Sequence, residues 1–477
     1  MISPEKIKEF AKAKASVVSD MNQCLWDYAE FGYSEFKSAG KLTEVLENEG
    51  FTVEKGTAGI PTAFIGTYGE GRPYIGILAE YDSLPELSQE KGVAEKSPLP
   101  GRDYGHGCGH CALGAGAVGA ALIVKEYLKE TGATGTVKLI GCPAEETGFG
   151  KAFLAKAHIF DDLDMVFSWH PGDSNGCMAI KAVGYYKVKY MFKGITAHAG
   201  GAPELGRSAL DACEIMNVGV NYLREHIISN ARVHYAYLDV GGQAPNVVQD
   251  HAALLYFVRA PKLSQSAEIM ERINNCARGA ALMTGTEVSI KVLGGLCDLI
   301  PNRAAAQILS DAYVDMGGPE FDEADYEIAR KFLAILPDDK KKQIISNGAK
   351  FNGISEEEFA ERPLNTAVRP FDPAMMNVIM TGSTDVGDVS YIVPTAQLGA
   401  ATAIPGTGAH TWQMTAQVGT SIGDKGALAA ASAIALACAR VYEDPSVCEE
   451  AKKELLAATG GEYTSPIPDD ITYDQAI

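Results

Sequence analysis

The residues best suited to chemistry are acids, imidazoles and a thiol gathered in five short stretches: Glu80 and Asp82; His106, Cys108 and His110; Glu145 and Glu146; His170; and His410. Thiolate and imidazole suit the same borderline divalent metals. Glycines at 105, 107, 109 and 114 flank the Cys-Gly-His core and let backbone approach a bound ion closely. The pair Glu145–Glu146 reads in two ways. It is either a helix start favoured by the dipole, or a source of one metal ligand and one general base. The histidines at 158, 226, 234 and 251 have no ligand-like neighbours and read as structural or surface groups.

Two motifs in the same region imitate other chemistry. Gly114-Ala115-Gly116-Ala117-Val118-Gly119 matches G-x-G-x-x-G, but that fingerprint needs a strand immediately before it, and a His/Cys-rich loop stands there instead. A nicotinamide-dependent oxidoreductase is the reading this motif would support; tight helix packing is the reading preferred. Cys108-Gly109-His110-Cys111 matches C-x-x-C, but its flanking histidines and the length of the chain argue against a thioredoxin-like pair.

The elements that must position these residues follow from periodicity. Helical spacing runs through residues 5–48, 112–128 and 150–157, and short apolar runs at 63–66, 74–79, 136–141 and 164–169 read as buried strands. Strands alternating with helices predict an α/β fold with a parallel, doubly wound sheet covered on both faces, so the chemical residues stand where such sheets bind ligands, beyond the strand carboxyl ends. From Tyr185 the texture changes to polar–apolar alternation. Strand 185–194, helix 206–228, strands 232–240 and 252–259, helix 264–283 and strand 286–293 give the β-α-β-β-α-β order of a ferredoxin-like α+β domain. The expected organisation is a catalytic domain built from two segments, 1–184 and 300–477, with a second domain at 185–299 inserted between them. In the later catalytic segment a polar excursion spans Pro337–Pro373. Strands are expected near Tyr391 and over 396–403, a helix closes from Gly423, and the tail after Pro445 is polar.

At 477 residues, 46% hydrophobic and 21% charged, the chain has ordinary globular composition. Its net charge of −20 repels phosphate backbones and anionic lipid, excluding nucleic acid and membrane surfaces as expected partners. The first residues lack a basic segment followed by an apolar run. The apolar stretch 426–439 is shorter than the roughly 20 residues a bilayer needs and reads as a buried helix. Ten cysteines without framework spacing fit reduced thiols, and a cytoplasmic protein is expected.

Taken together, Ala79-Glu80-Tyr81-Asp82-Ser83-Leu84-Pro85, Gly105-His106-Gly107-Cys108-Gly109-His110, Cys142-Pro143-Ala144-Glu145-Glu146, Trp169-His170 and Gly408-Ala409-His410-Thr411 resemble the aminoacylase/carboxypeptidase metallopeptidases. The resemblance is to the Cys-ligand branch that includes hippurate and auxin-conjugate amidohydrolases, and it spans nearly the whole chain. It implies a mixed-sheet catalytic domain holding two divalent ions, zinc or manganese. The implied ligands are Cys108, His110, Glu146, His170 and His410, with Glu145 as general base and Asp82 orienting a ligand from behind. The inserted domain resembles that family's lid and dimerisation domain. There His198, in Thr196-Ala197-His198-Ala199-Gly200, matches a residue that reaches the partner subunit's site and binds the developing oxyanion, while Asn246 and Arg259 match holders of the substrate's carboxylate or carbonyl.

The implied function is hydrolysis of the amide bond of a small N-acyl or N-aroyl amino acid or dipeptide by a homodimer. The rival reading is a substrate-binding or partner subunit of a two-subunit hydrolase, without turnover of its own. Cys111 departs from the family pattern, which has Asn or Asp there, and so raises the question of a second thiol near the metals.

Overall fold

The computed structural model describes residues 2–476. Its strands in chain order are β1 (Thr52–Lys55), β2 (Phe64–Glu70), β3 (Tyr74–Ala79), β4 (Gly135–Gly141), β5 (Met165–Gly172), β6 (Asn175–Cys177), β7 (Lys181–Ala182), β8 (Gly184–Lys193), β9 (Arg232–Asp239), β10 (His251–Ala260), β11 (Glu287–Leu296), β12 (Val368–Arg369), β13 (Ile379–Met380) and β14 (Thr395–Ala401). Contacts divide the chain into two compact units. One comprises the described residues through Ile180 with 301–377 and 389–463; the other comprises 181–300, 378–388 and the described residues from 464 onward.

The first unit carries a sheet ordered β1-β2-β4-β3-β5-β14-β6-β12. Its centre is parallel: β3 pairs in parallel with β4 and β5, and β14 in parallel with β5. The flanks are antiparallel at β1–β2, β2–β4 and β6–β14, so the sheet is mixed. β3 and β5 are buried along most of their length, as strands covered on both faces must be. The helix His110–Thr131 starts behind Gly109 at φ 82° and stops at left-handed Gly132. It packs against the strands and the helices Pro4–Tyr28 and Ser421–Glu443. Gly116 explains how closely it sits, since a Cβ there would stand 2.7 Å from the Trp169 ring. The G-x-G-x-x-G run thus lies inside a helix and serves packing.

The second unit has a four-stranded antiparallel sheet ordered β11-β8-β10-β9, with helices Ala209–Leu223 and Leu263–Thr284. Val188, Tyr190 and Phe192, alternate residues of β8, share one core with Met216 and Ile273 from the two helices. The order β-α-β-β-α-β is present. The segment 378–388 and the described residues from 464 onward also belong to this unit. Local sequence does not announce them, because such segments join through long-range contacts like β13 beside β7.

Several expectations are corrected. The region near Tyr391 is the helix Val386–Ile392, not a strand; its buried Val386 and Val389 sit three apart, as a helix face requires. The polar stretch after Pro337 forms the helices Asp338–Asn352 and Glu356–Glu361, and the polar tail contains the helix Ser446–Thr459. The stretch 426–439 is a buried helix as expected, and only its length differs: it is the middle of a 23-residue helix, Ser421–Glu443. This helix and His110–Thr131 are long and apolar enough to cross a membrane, but 78% and 89% of their most apolar windows are buried inside the protein.

Candidate metal centre

Because β4, β3, β5 and β14 run parallel, their carboxyl ends share one edge of the sheet, where open α/β sheets bind ligands. Glu80 and Asp82 follow β3, Glu145 and Glu146 follow β4, His170 lies inside β5 near its end, and His410 follows β14. Cys108 and His110 straddle Gly109 at the amino end of the long helix.

These side chains converge. Cys108 Sγ lies 3.4 Å from His170 Nε2, and His410 Nε2 lies 3.2 Å from Glu146 Oε2. Potential ligand atoms fall within 4.8 Å of one another in three overlapping groups: Cys108, His110 and His170; Cys108, Glu146 and His410; and Glu80, His110 and Glu145. His110 Nδ1 is tied to Asp82 Oδ1 at 2.8 Å and His170 Nδ1 to the Pro171 carbonyl at 2.7 Å, leaving each Nε2 turned toward the cluster. His110 Nε2 and Glu146 Oε1 are buried without a hydrogen-bond partner among the described residues. Two orphaned acceptors beside a thiol and two more imidazoles are a donor set that fits divalent cations.

Charge supports the same reading. Burial opposes ionisation of the Cys108 thiol, but the His170 and His110 rings overcome it and bring the thiol down to about 6. Glu146 and Glu80 are likewise held below the usual carboxylate range despite burial, Glu146 mainly by its bond to His410 and Glu80 mainly by Lys151. Hydrogen bonds to Cys108 and Glu146 raise His410 to about 10.

The surroundings fix these positions. Asp82 Oδ2 accepts from the Glu146 backbone N–H at 2.9 Å, so one carboxylate aligns an imidazole and an acid. The Gly107 carbonyl accepts from His410 N–H at 2.8 Å, and His410 holds φ 58°, a left-handed conformation that costs of order 1–3 kcal/mol for a non-glycine residue. Gly109 also needs its left-handed φ, and a Cβ there would come 2.7 Å from Pro171 Cβ.

His106, a fourth imidazole in the same loop, stays out of the cluster. Its Nε2 lies 3.0 Å from the Leu25 carbonyl, and burial drives its pKa to about 3, so it is a neutral structural residue. Cys111 is fully buried among apolar side chains, with its thiol pushed up by burial, and is in none of the ligand groups.

Sequence reading gave no specific role to Glu80, Lys151 or Glu35. Lys151 is fully buried and its Nζ meets Glu80 Oε1 at 2.7 Å. Glu35 is buried and accepts from the Ala144 N–H at 2.8 Å, and burial followed by the nearby Asp82 raises it to about 8. Glu80 directly follows a buried strand and so carried a signal; Lys151 lies in locally ordinary helical sequence and Glu35 just before the helix Phe36–Asn48, and neither carried one.

In the second unit, His198 Nδ1 accepts from the N–H groups of Gly200 and Gly201 at 3.1 and 3.0 Å. Its loop pairs with that of Asn246, whose carbonyl accepts from Ala199 N–H at 3.0 Å. Arg259 lies across the Tyr185 ring, 4.6 Å from its centroid, and donates to Ser383 Oγ at 2.8 Å, with no carboxylate partner among the described residues.

The profile of peptidase family M20/M25/M40 matches residues 76–340. The chain is 38% identical, over 98% of its length and 98% of the relative's, to one of the two subunits of p-aminobenzoyl-glutamate hydrolase from Escherichia coli strain K12. The chain belongs to this family. It is also 29% identical to a mouse Xaa-Arg dipeptidase, over 94% of the chain and 90% of the relative. Its fold matches a crystal structure from Bacillus subtilis described as a dinuclear metal-binding peptidase of the M20 family, with TM-score 0.57, 18% identity and coverage of 91% and 99% of the two chains. As an M20 member the protein is a hydrolase acting on amide bonds. The family is metal-dependent, and the donor set at the sheet edge fits that dependence.

Proposed function

We propose that the protein is a binuclear metal-dependent amidohydrolase that releases a free amino acid from N-acyl or N-aroyl amino acids or dipeptides, p-aminobenzoyl-glutamate being the favoured substrate. The observation that carries this reading is the convergence of Cys108, His110, Glu146, His170 and His410 around buried acceptors lacking hydrogen bonds, with Glu145 in an overlapping group. Two divalent ions, zinc or manganese, would there acidify a water and polarise the scissile carbonyl. Glu145 takes the proton from the attacking water and delivers it to the leaving amine. Asp82 holds the His110 tautomer, and the Glu80–Lys151 pair closes the cluster on its buried side.

Two N–H donors on His198 Nδ1 leave its proton on Nε2, the form that can donate to a developing oxyanion. Asn246 and Arg259 hold the substrate's carboxylate or carbonyl; a guanidinium stacked on Tyr185 with only a serine partner keeps donors for a carboxylate. The unit built on 185–299 is assigned as a lid and dimerisation domain inserted between the two catalytic segments, with 378–388 and the described residues from 464 onward joining it rather than the catalytic segment that begins at 300. Exposed Val218 and Tyr222 on one helix face, with exposed Tyr235 and Leu238 on edge strand β9, support a homodimer through it. Ten free thiols support a cytoplasmic location.

The test is metal content and amidase turnover in wild type, Glu145→Gln and Cys108→Ser. Glu145→Gln is expected to keep metal and lose roughly 10²–10⁴-fold in kcat, and Cys108→Ser to lose metal; unchanged turnover in both variants overturns the reading. The bacterial relative's name makes it one subunit of a hydrolase, which favours a second possibility, a partner chain without its own turnover. Turnover by a homogeneous preparation removes that possibility.

A further inference from the structure

The helix Asp338–Asn352 and the strand β12 border a cavity of about 490 Å³, within the range of small-molecule sites. Lys340, Gln343, Asn347, Arg369, Asp173 and Gly406 are among the residues that line it. Its walls are tied together: Asn365 Nδ2 donates to the Asp173 carbonyl at 2.6 Å, Asn352 Nδ2 to Asn365 Oδ1 at 2.8 Å, and Gly406 N–H to Asp173 Oδ2 at 2.8 Å.

In a chain with net charge −20, neither Lys340 nor Arg369 has a side-chain hydrogen bond or ion pair among the described residues. The Arg369 guanidinium lies over the Phe351 ring, 4.2 Å from its centroid. Stacking fixes the plane of the fork and leaves its N–H edge for a bidentate acceptor. Asp173 and the amides of Gln343 and Asn347, also in the lining, suit an N–H group. We propose that this cavity binds an acidic amino acid moiety, its carboxylate clamped by Arg369 and Lys340.

The position agrees with the chemistry at the sheet edge. Asp173 follows His170 at the end of β5, and Gly406 precedes His410. At about 3.3–3.6 Å per residue, the cavity wall lies no more than roughly 11–15 Å of chain from these two histidines. The moiety has two sources, the acidic end of the amide being hydrolysed or a free acidic amino acid bound apart from it; the first rests on the proposed function.

The test compares wild type with Arg369→Ala and Lys340→Ala, singly and together; both side chains are exposed, so the variants should fold. Glutamate binding by calorimetry to metal-loaded enzyme is expected to weaken at least about tenfold in the double variant. If the clamp holds the substrate, KM for an N-acyl-glutamate rises about tenfold more than KM for the matching N-acyl-alanine. If it holds a free amino acid, glutamate binding is lost while the two KM values move together. Glutamate affinity and the KM ratio both unchanged in the double variant overturn the proposal. A wild-type protein that binds glutamate through Arg369 yet cleaves no amide would overturn the proposed function and leave this site standing.

Discussion

Asp82 commits one oxygen to His110 Nδ1 and the other to the Glu146 N–H, so its charge and its geometry can be separated by experiment. Asp82→Asn must turn its NH2 toward one of these donors and lose that bond. Metal affinity, measured by competition with a chelator, is expected to fall about 10–100-fold, and an unchanged affinity would contradict the proposed alignment of His110. The Glu80–Lys151 pair makes a different demand. Both groups are buried, so Lys151→Met leaves a carboxylate without its cation, at a cost of about 3–5 kcal/mol in stability. Denaturant unfolding reads this loss; a variant as stable as wild type would mean that Glu80 simply takes up a proton.

Glycines show how one residue type has opposite value on two helices. Gly116 faces Trp169, where a Cβ would be 2.7 Å from the ring, whereas Gly40 on the helix Phe36–Asn48 faces open space. Gly116→Val is expected to destabilise by about 1–3 kcal/mol through overpacking, and Gly40→Ala to stabilise by about 0.5–1 kcal/mol through helix propensity. Chemical denaturation of the two variants checks both signs. At the same scale, His170 reaches the centre because β5 runs parallel to β3 and β14; the period of the pattern predicts strands, but only pairing orders them.

Across the whole chain, residues far apart close the second unit. Lys187 on β8 donates to the Ala476 carbonyl at 2.6 Å, and burial pushes this lysine down to about 8. Its pKa when unfolded is about 10.4. Between these values the unfolded chain holds a proton that the folded chain has released, so this group makes stability rise with pH from about 8 to 10.4. Below pH 8 both states carry the charge and the burial penalty is constant. The wild-type thermal midpoint should therefore rise relative to that of Lys187→Met across that window; a difference independent of pH would show that Lys187 stays charged in the fold.

The sequence alone determined which donors exist and that strands alternating with helices would carry them to strand ends, because residue identity and periodicity are local properties of the chain. It also made the order of the β-α-β-β-α-β unit legible. It could not separate His106 from His110: both sit in one glycine-rich loop, and the choice lies in whether the ring meets the Leu25 carbonyl or Asp82, partners remote in the chain. For the same reason the inertness of Cys111, the burial of Lys151 and the cavity beside Arg369 were decided by tertiary structure. Desolvation and pairing depend on what folding brings into contact, and none of those neighbours is near in sequence.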